Sequence, residues 1–230
     1  MRHGIREIFD EVPATYERVN HILTLGLDRL WRRRTARLAA RAGGTRWIDV
    51  CSGTGELTLA LARRARAGTQ VTAYDFSGPM LSHAARKPAA CGIAFVLGDA
   101  RRMPFPGGTF DLLTTGFGTR NLNLNRDTLT RTFAEFHRVL RPGGRFVTLE
   151  TSQPRGRLLR RLVRLYVRTC VRPLGRRVSG SDAGYAYLAH TIPRFYDAEQ
   201  LAGIMIAAGF RDVTYRRLLG GVAAIHLAWK

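Results

Sequence analysis

The sequence predicts an α/β fold: a seven-stranded, mostly parallel sheet with helices on both faces, an N-terminal helical cap, and a helical insertion after the fifth strand. Three observations predict it. From residue 46 onward short β-type runs alternate with helical stretches, the pattern of parallel strands joined by crossover helices. A glycine-rich turn follows the first run at once and opens a helix. The 230 residues are 45% hydrophobic and 23% charged, with 24 glycines and 9 prolines. That is the composition of one large globular domain, and it excludes disordered, collagen-like and coiled-coil chains.

In order, Arg46 to Val50 reads as the first strand, and Glu56 to Arg66 as a helix with Leu57, Ala60 and Leu61 on its apolar face. Val71 to Tyr74 is the second strand, followed by a helix around Pro79 to Lys87; Ile93 to Leu97 and Phe110 to Thr115 are strands three and four. Thr128 to Leu140 has helical spacing and stops at Pro142-Gly143-Gly144, because proline cannot continue a helix and glycine readily takes positive φ. Arg145 to Leu149 is strand five. Ala198 to Ala208 is a helix stopped by Gly209, and Val213 to Arg217 and Val222 to Trp229 are the last strands, turned at Gly220-Gly221. The expected organisation is one domain: a cap over residues 1–42, a core over 43–152, an insertion over 153–196, and a C-terminal helix with two strands over 197–230.

The net charge is +20, and all of the 37 basic residues except Lys87 and Lys230 are arginines. Such an excess points to an anionic partner, nucleic acid or an acidic membrane surface, unless it reflects only an arginine-biased genome. Cys51, Cys91 and Cys170 lack the spacing of a disulfide framework or a zinc site, so no metal is expected and a reducing cytosol fits. Met1 to Asp10 lacks the apolar stretch of a secretion signal, and no apolar run approaches the ~18 residues of a spanning helix. A cytoplasmic protein is expected, at most peripheral at the inner face of the cell membrane; monomer and homodimer both stay open.

The first strand runs into Asp49-Val50-Cys51-Ser52-Gly53-Thr54-Gly55-Glu56. Two glycines one residue apart let the backbone turn sharply toward a ligand, beside the free N–H groups of a helix start. Asp75 closes the second strand 26 residues after Asp49, where a carboxylate can accept from both hydroxyls of a ribose. A bound nucleoside is the reading. The third glycine of a dinucleotide fingerprint would fall at Thr58 and is missing, while Gly98-Asp99-Ala100 offers a carboxylate for an adenine amino group. Both details favour S-adenosylmethionine.

The succession DVCSGTGE, YDFSGPML, GDARRMPFP, FDLLTTGFGTRN and RVLRPGG resembles the ubiquinone/menaquinone biosynthesis C-methyltransferases, Rossmann-like class I S-adenosylmethionine enzymes. More specific to that family are Phe117 to Asn121, the N-terminal Tyr16…Asn20…Leu25-Gly26…Trp31-Arg32, Tyr185 with Tyr187-Leu188, and Gly220-Gly221…Ile225-His226…Lys230. The resemblance covers nearly the whole chain. It implies methyl transfer to a polyprenyl quinol ring, with cofactor contacts at Thr54, Asp75, Asp99 and Ala100 and a fifth, commonly serine, at Gly116. With Asp49, Ser52, Gly53 and Gly55 of the turn and Phe76 beside Asp75, these make up the candidate cofactor site. Thr119, Leu124 and His190 depart from the family's usual Leu, Asp and Glu, so the accepted ring or tail is expected to differ from the commonest quinol.

Carbon methylation needs an electron-rich ring carbon, which ionisation of a neighbouring phenolic hydroxyl provides. The resemblance assigns catalysis to Arg120 and Asn121: a permanent cation to favour the phenolate, and an amide to hold the hydroxyl or a relaying water. His190 and His226 are candidate bases and Tyr185 a substrate hydrogen-bond partner, each equally readable as structural.

From Arg155 to Arg177, arginines 157, 160, 161, 164, 168 and 172 fall within an arc of roughly 120° opposite Leu158, Leu159, Leu162, Val163, Leu165, Tyr166 and Cys170. Such a helix can lie in an anionic bilayer interface, or pack its apolar side on the domain. A nucleic-acid partner is disfavoured: Thr114-Thr115-Gly116-Phe117 replaces the motif that grips a flipped base, and no aromatic platform accompanies the arginines. The remaining alternative is a methyltransferase of the same fold acting on another small phenolic, steroid or natural-product substrate.

Overall fold

The computed structural model describes residues 10, 13–179 and 182–230; most of the segment Met1 to Asp10 therefore lies outside the described residues. Helices α1 (Pro13–Leu23) and α2 (Leu27–Ala39) come first, joined by a tight turn in which Leu25 and Gly26 take left-handed φ of 53° and 76°. The strands are β1 (Arg46–Val50), β2 (Gln70–Asp75), β3 (Ile93–Leu97), β4 (Phe110–Gly116), β5 (Leu140–Thr151), β6 (Arg211–Leu218) and β7 (Ala223–Trp229). Around and between them lie α3 (Glu56–Ala62), α4 (Gly78–Ala85), α5 (Thr119–Leu122), α6 (Arg126–Val139), α7 (Arg157–Tyr166), α8 (Arg172–Ser179), α9 (Asp182–Thr191) and α10 (Ala198–Ala207).

The sheet order is β3-β2-β1-β4-β5-β7-β6, parallel except for β7, which runs antiparallel to both of its neighbours. The expected seven-stranded, mostly parallel sheet is present. β1 pairs with β2 on one side and β4 on the other, so the strand order reverses there and a crevice opens beyond their carboxyl ends.

Strand alternation accounts for both faces. Trp47, Leu112, Val147 and Ile225 share a cluster with Trp31 and Ala36 of α2 and Leu57 and Leu61 of α3. Ile48, Leu113, Phe146 and Ala228 pack instead with Phe133 and Phe136 of α6 and Leu201, Ile204 and Met205 of α10. A smaller cluster of Val19, Val167, Val171, Tyr185 and Leu188 ties the insertion to α1. Because burying one such side chain is worth about 2 kcal/mol, the sheet's two faces carry the stability and the third cluster only docks the insertion.

Three sequence-based boundaries need correction. Helix α3 ends at Ala62, not Arg66, because the positions beyond it hold three arginines in four residues and only Ala65 packs on the core. Helix α6 starts early, capped by Asn125 Oδ1 accepting from Thr128 N at 2.8 Å, and ends at Val139 before Pro142 can act. Leu140 is already extended and pairs with Phe110, while Gly143 N and Gly144 O bond to Lys230, so Pro142-Gly143-Gly144 belongs to β5. The residue before a proline favours extended backbone, which gives Arg141 to the sheet. The continuous basic helix of the insertion is broken by a wide π turn at Val167–Val171. Pro173 lacks an N–H, and its ring would strike the carbonyl of Thr169 in a regular helix, so the turn widens there. The face drawn at 100° per residue therefore holds only as far as Tyr166.

Candidate active site

After β1 the backbone reverses within five residues. Cys51 takes a φ of 56° despite its Cβ, and Gly53 and Gly55 take 52° and 80°. A Cβ on Gly53 would meet nothing within 4 Å, so its glycine serves backbone conformation alone, whereas at Gly55 a Cβ would press on Ala84 Cβ at 3.0 Å. Burial pushes the Cys51 thiol well above its ordinary value, and the Asp75 and Asp49 carboxylates add to this, so it is a small neutral group rather than a nucleophile.

This turn forms one wall of a cavity of about 490 Å³. Asp75 and Phe76 follow from β2, Asp99, Ala100 and Arg101 from beyond β3, and Gly116, Phe117, Gly118 and Asn121 from the end of β4 and beyond; α1 adds Tyr16 and α2 adds Arg32. Every candidate cofactor residue lines it except Gly55, which stands one step behind as the cap of α3.

The carboxylates differ in their surroundings. Asp49 accepts from Thr58 Oγ1 and Thr114 Oγ1, both at 2.6 Å. Burial still pushes it up to about 6, against the opposing pull of those hydroxyls and Arg32. Asp75 Oδ2 accepts from Gly53 N at 2.8 Å and Oδ1 from Ser77 N at 2.9 Å, the Phe76 N–H adds a third backbone bond, and burial outweighs them all to raise its pKa too. A carboxylate has about four acceptor sites, so a site stays open to a ribose hydroxyl. Asp99 Oδ1 accepts from Arg101 N at 2.9 Å, and Tyr74 Oη donates to Asp99 O at 3.2 Å. Burial and Asp99 push the Tyr74 phenol up to about 12, so it stays a donor.

Next to this turn, Phe117 is a second non-glycine in left-handed backbone, φ 62°, held by its N–H donating to Leu149 O at 2.7 Å. Beside it, a Cβ on Gly118 would lie 2.4 Å from Cys51 Cβ. Left-handed backbone costs an L-residue about 1–2 kcal/mol, and such strain concentrates at functional sites. The short α5 then presents Arg120 and Asn121. Arg120 N donates to Oε2 of the fully buried Glu150 at 3.0 Å, while Glu150 Oε1 accepts from Thr151 N at 2.8 Å.

Arg120 Nε, Asn121 Oδ1 and Ser52 Oγ are buried without a hydrogen-bond partner among the described residues. Leaving such an atom unsatisfied costs about 1–3 kcal/mol, and two of the three belong to residues of the cavity wall. Arg120 itself is not on the wall. Its charge reaches Tyr16, which is, and Tyr187; burial raises both phenols and Arg120 opposes it.

The other candidates are not brought to the cavity. His190 is exposed at the end of α9 with Nδ1 3.1 Å from Arg194 Nη1. Tyr185 is buried in the cluster under the insertion, its ring so close to Gly175 that a Cβ there would lie 2.1 Å away. His226 Nε2 sits 2.9 Å from Ala198 O at the start of α10, and burial lowers its pKa to about 4.

What the sequence left without a role is the clamp that holds the cap. Arg32 Nη1 contacts Asp28 at 2.5 Å and Glu56 at 3.3 Å, and its guanidinium lies 5.0 Å from the centre of the Phe117 ring. His21 bridges Asp28 at 2.7 Å and Glu56 at 3.3 Å, while Lys87 pairs with Glu17 and donates to Thr54 O at 2.7 Å. Glu17, His21 and Glu56 place ligand-type atoms within 4.8 Å of one another, but Lys87 and Arg32 already supply the counter-charge. The sequence signals that touched these positions were the motif containing Tyr16 and Arg32 and the glycine-rich turn containing Thr54 and Glu56, and neither pointed to a clamp.

A glycine turn at a strand-order reversal, a carboxylate at the end of β2, another beyond β3, and buried polar atoms set for a ligand fit S-adenosylmethionine. Together they define the class of S-adenosylmethionine-dependent methyltransferases. The chain belongs to the ubiE/COQ5 methyltransferase family, whose model matches residues 2–230. It is 38% identical to a demethylmenaquinone methyltransferase of Lactiplantibacillus plantarum, over 99% of this chain and 96% of that one. It is 36% identical to a ubiquinone/menaquinone biosynthesis C-methyltransferase UbiE of Desulfotalea psychrophila, over 97% and 89% of the two chains. Among solved structures, a SAM-dependent methyltransferase of Thermotoga maritima shares the fold, with a TM-score of 0.65, 16% identity, and coverage of 98% and 99%.

Proposed function

We propose that this chain methylates a ring carbon of a polyprenyl quinol, of the demethylmenaquinol or 2-methoxy-6-polyprenyl-benzoquinol type, in menaquinone or ubiquinone biosynthesis. The names of the Lactiplantibacillus and Desulfotalea relatives support the substrate class. The observation that carries the reading is the Arg120-Asn121 pair, whose buried Nε and Oδ1 have no partner among the described residues.

Bound S-adenosylmethionine supplies an electrophilic methyl group on a positively charged sulfur. Asp75 holds its ribose, Asp99 and Ala100 its adenine, and Ser52, Gly53 and Thr54 the remainder. A quinol hydroxyl, with a pKa near the ~10 of tyrosine, must ionise to activate the ring carbon. Arg120 cannot lose its charge, and in a buried site that charge favours the phenolate. Asn121 Oδ1 accepts from the hydroxyl or from a water that passes its proton out to bulk solvent. Tyr16 of α1, also on the cavity wall, donates to the ring's oxygen. The clamped cap would exclude water and hold substrate and cofactor in the close alignment that methyl transfer requires.

The polyprenyl tail places the substrate in a membrane, and the basic insertion, residues 155–177, makes peripheral contact there. No helix among the described residues is long and apolar enough to cross one. Gly116 and Leu124 on the cavity wall favour a second reading, transfer to a smaller phenolic, steroid or natural-product substrate. Turnover of a tail-free phenol with none of quinols would establish it.

Arg120→Ala tests the main reading. Turnover of a short-chain demethylquinol should fall by about 100-fold or more, with the melting temperature and cofactor affinity retained. Wild-type turnover by this variant removes Arg120 from the mechanism.

A further inference from the structure

Helix α7 has three sides rather than two. At 100° per residue Leu159, Val163 and Tyr166 share one side, and Leu159 and Val163 are half-buried there. Leu158, Leu162 and Leu165 fall within about 60° of one another on a second side, and all three are exposed, Leu158 by 72%. Arg157, Arg160, Arg161 and Arg164 form the third. No ion pair involves Arg157, Arg161 or Arg164 among the described residues. A leucine stripe in water beside a basic stripe is not a face that packing on the domain explains.

The packed side of α7 sets this helix against a segment far away in sequence. Tyr166 Oη donates to Leu23 O at 2.9 Å, and Leu23 and Val163 pack against one cluster. Just beyond Leu23 the α1–α2 turn holds Leu25, 86% exposed and in left-handed backbone, with Ile22 and Leu30 exposed beside it. Arg29, Arg33 and Arg34 of α2 are exposed around Leu30. Single exposed leucines are ordinary, but a contiguous group rimmed by cations marks an interaction surface. The left-handed backbone at Leu25 and Gly26 closes α1, with Gly26 N donating to His21 O at 2.7 Å, but it does not require a leucine exposed to water at that position.

We propose that the α1–α2 turn and α7 form one composite docking surface for an anionic lipid bilayer, with Leu25 as its inserting tip. The leucines enter the acyl boundary and the arginines stay at the headgroups, the arrangement of interfacial helices. Nucleic acid would engage the arginines but leave the leucines in water. The two arms of the turn also carry Tyr16 and Arg32 to the cavity wall, so docking sets the cap of the active site at the interface, where a lipid-borne substrate can enter without crossing water. The proposal deepens the peripheral contact described above and rests on that reading for its substrate.

The test is co-sedimentation of the full chain with phosphatidylglycerol-containing and pure phosphatidylcholine vesicles, alongside turnover of a tail-free quinol in solution. The wild type should bind the anionic vesicles, weakly at high salt. Leu25→Asn and Leu162→Gln should each lower binding by about tenfold, and Arg161→Gln with Arg164→Gln should weaken binding at low salt and make it measurably less salt-dependent. Asparagine tolerates left-handed backbone better than leucine, so Leu25→Asn should melt no lower than the wild type, which separates lost docking from lost folding. Undiminished binding by these variants, no vesicle binding by the wild type, or self-association that Leu25→Asn abolishes overturns the proposal. Vesicle binding without quinol turnover sinks the substrate reading and leaves the surface standing; turnover without vesicle binding does the reverse.

Discussion

Asp49→Asn removes a buried negative charge from the cavity wall while keeping its shape, and the effect on stability must follow pH in one direction. Burial holds the Asp49 carboxyl at about 6 in the folded chain, against an ordinary 3.8. A carboxyl with a raised pKa favours folding only while protonated: the contribution is complete below the ordinary value and is lost as pH rises through the folded one. At about 1.4 kcal/mol per unit, the loss is about 3 kcal/mol. Asparagine preserves both contacts, because its oxygen accepts from one threonine and its amide donates to the other hydroxyl, Thr58 or Thr114. His226 works in the opposite sense. Its pKa is lowered to about 4 from 6.5, so it withdraws stability as pH falls through that window. The two slopes oppose each other in the wild type, and the informative quantity is variant minus wild type. Urea unfolding of the cofactor-free chains should show a difference that grows between pH 4 and 7 by about 3 kcal/mol in favour of asparagine. A difference independent of pH means that the carboxyl titrates normally and the argument from burial fails. A cation in the cavity gives the carboxylate a partner, so the wild type should prefer S-adenosylmethionine over its uncharged demethylated product more strongly above pH 6 than below, and the variant should show no such step.

Two glycines make further predictions. Gly118→Ala places a Cβ 2.4 Å from Cys51 Cβ, which sits on a strained backbone and cannot swing aside; the loop carrying Arg120 must move, and turnover should drop by about 100-fold in a steady-state assay. At Gly116 the φ is ordinary and a Cβ would lie 3.1 Å from Leu57 Cδ2, the yielding end of a side chain. Gly116→Ser restores the hydroxyl usual in the family, and a hydrogen bond worth about 1 kcal/mol should tighten cofactor binding about fivefold by calorimetry; unchanged or weaker binding would show that Leu57 does not yield.

Where a feature depends on neighbours in the chain, the residues alone describe it well. β1 and β3 have the predicted bounds because alternation and flanking turn residues are local signals. The cofactor turn was legible for the same reason: Gly53 and Gly55 follow the strand directly, and Asp75 ends the next. Errors arose where a distant segment decides. Pro142-Gly143-Gly144 reads locally as a helix stop, yet the pairing of Leu140 with Phe110 and the bonds of Gly143 and Gly144 to Lys230 draw it into the sheet. His190 and Tyr185 carry residue types suited to chemistry, but their direction depends on how α9 packs against α1 and the π turn, which periodicity does not report.

The cap makes the same point from the side of function. Tyr16 and Arg32 reach the cavity only because Asp28, Glu56, Lys87 and Thr54 hold α1 and α2 over it, and those partners are scattered from residue 28 to residue 87. That clamp and the exposed leucines share two helices, whose inner side closes the active site and whose connecting turn faces outward. If the substrate has the polar ring and lipid tail proposed above, the enzyme needs both a dry cavity and an apolar entrance, and α1 and α2 are placed to supply a part of each.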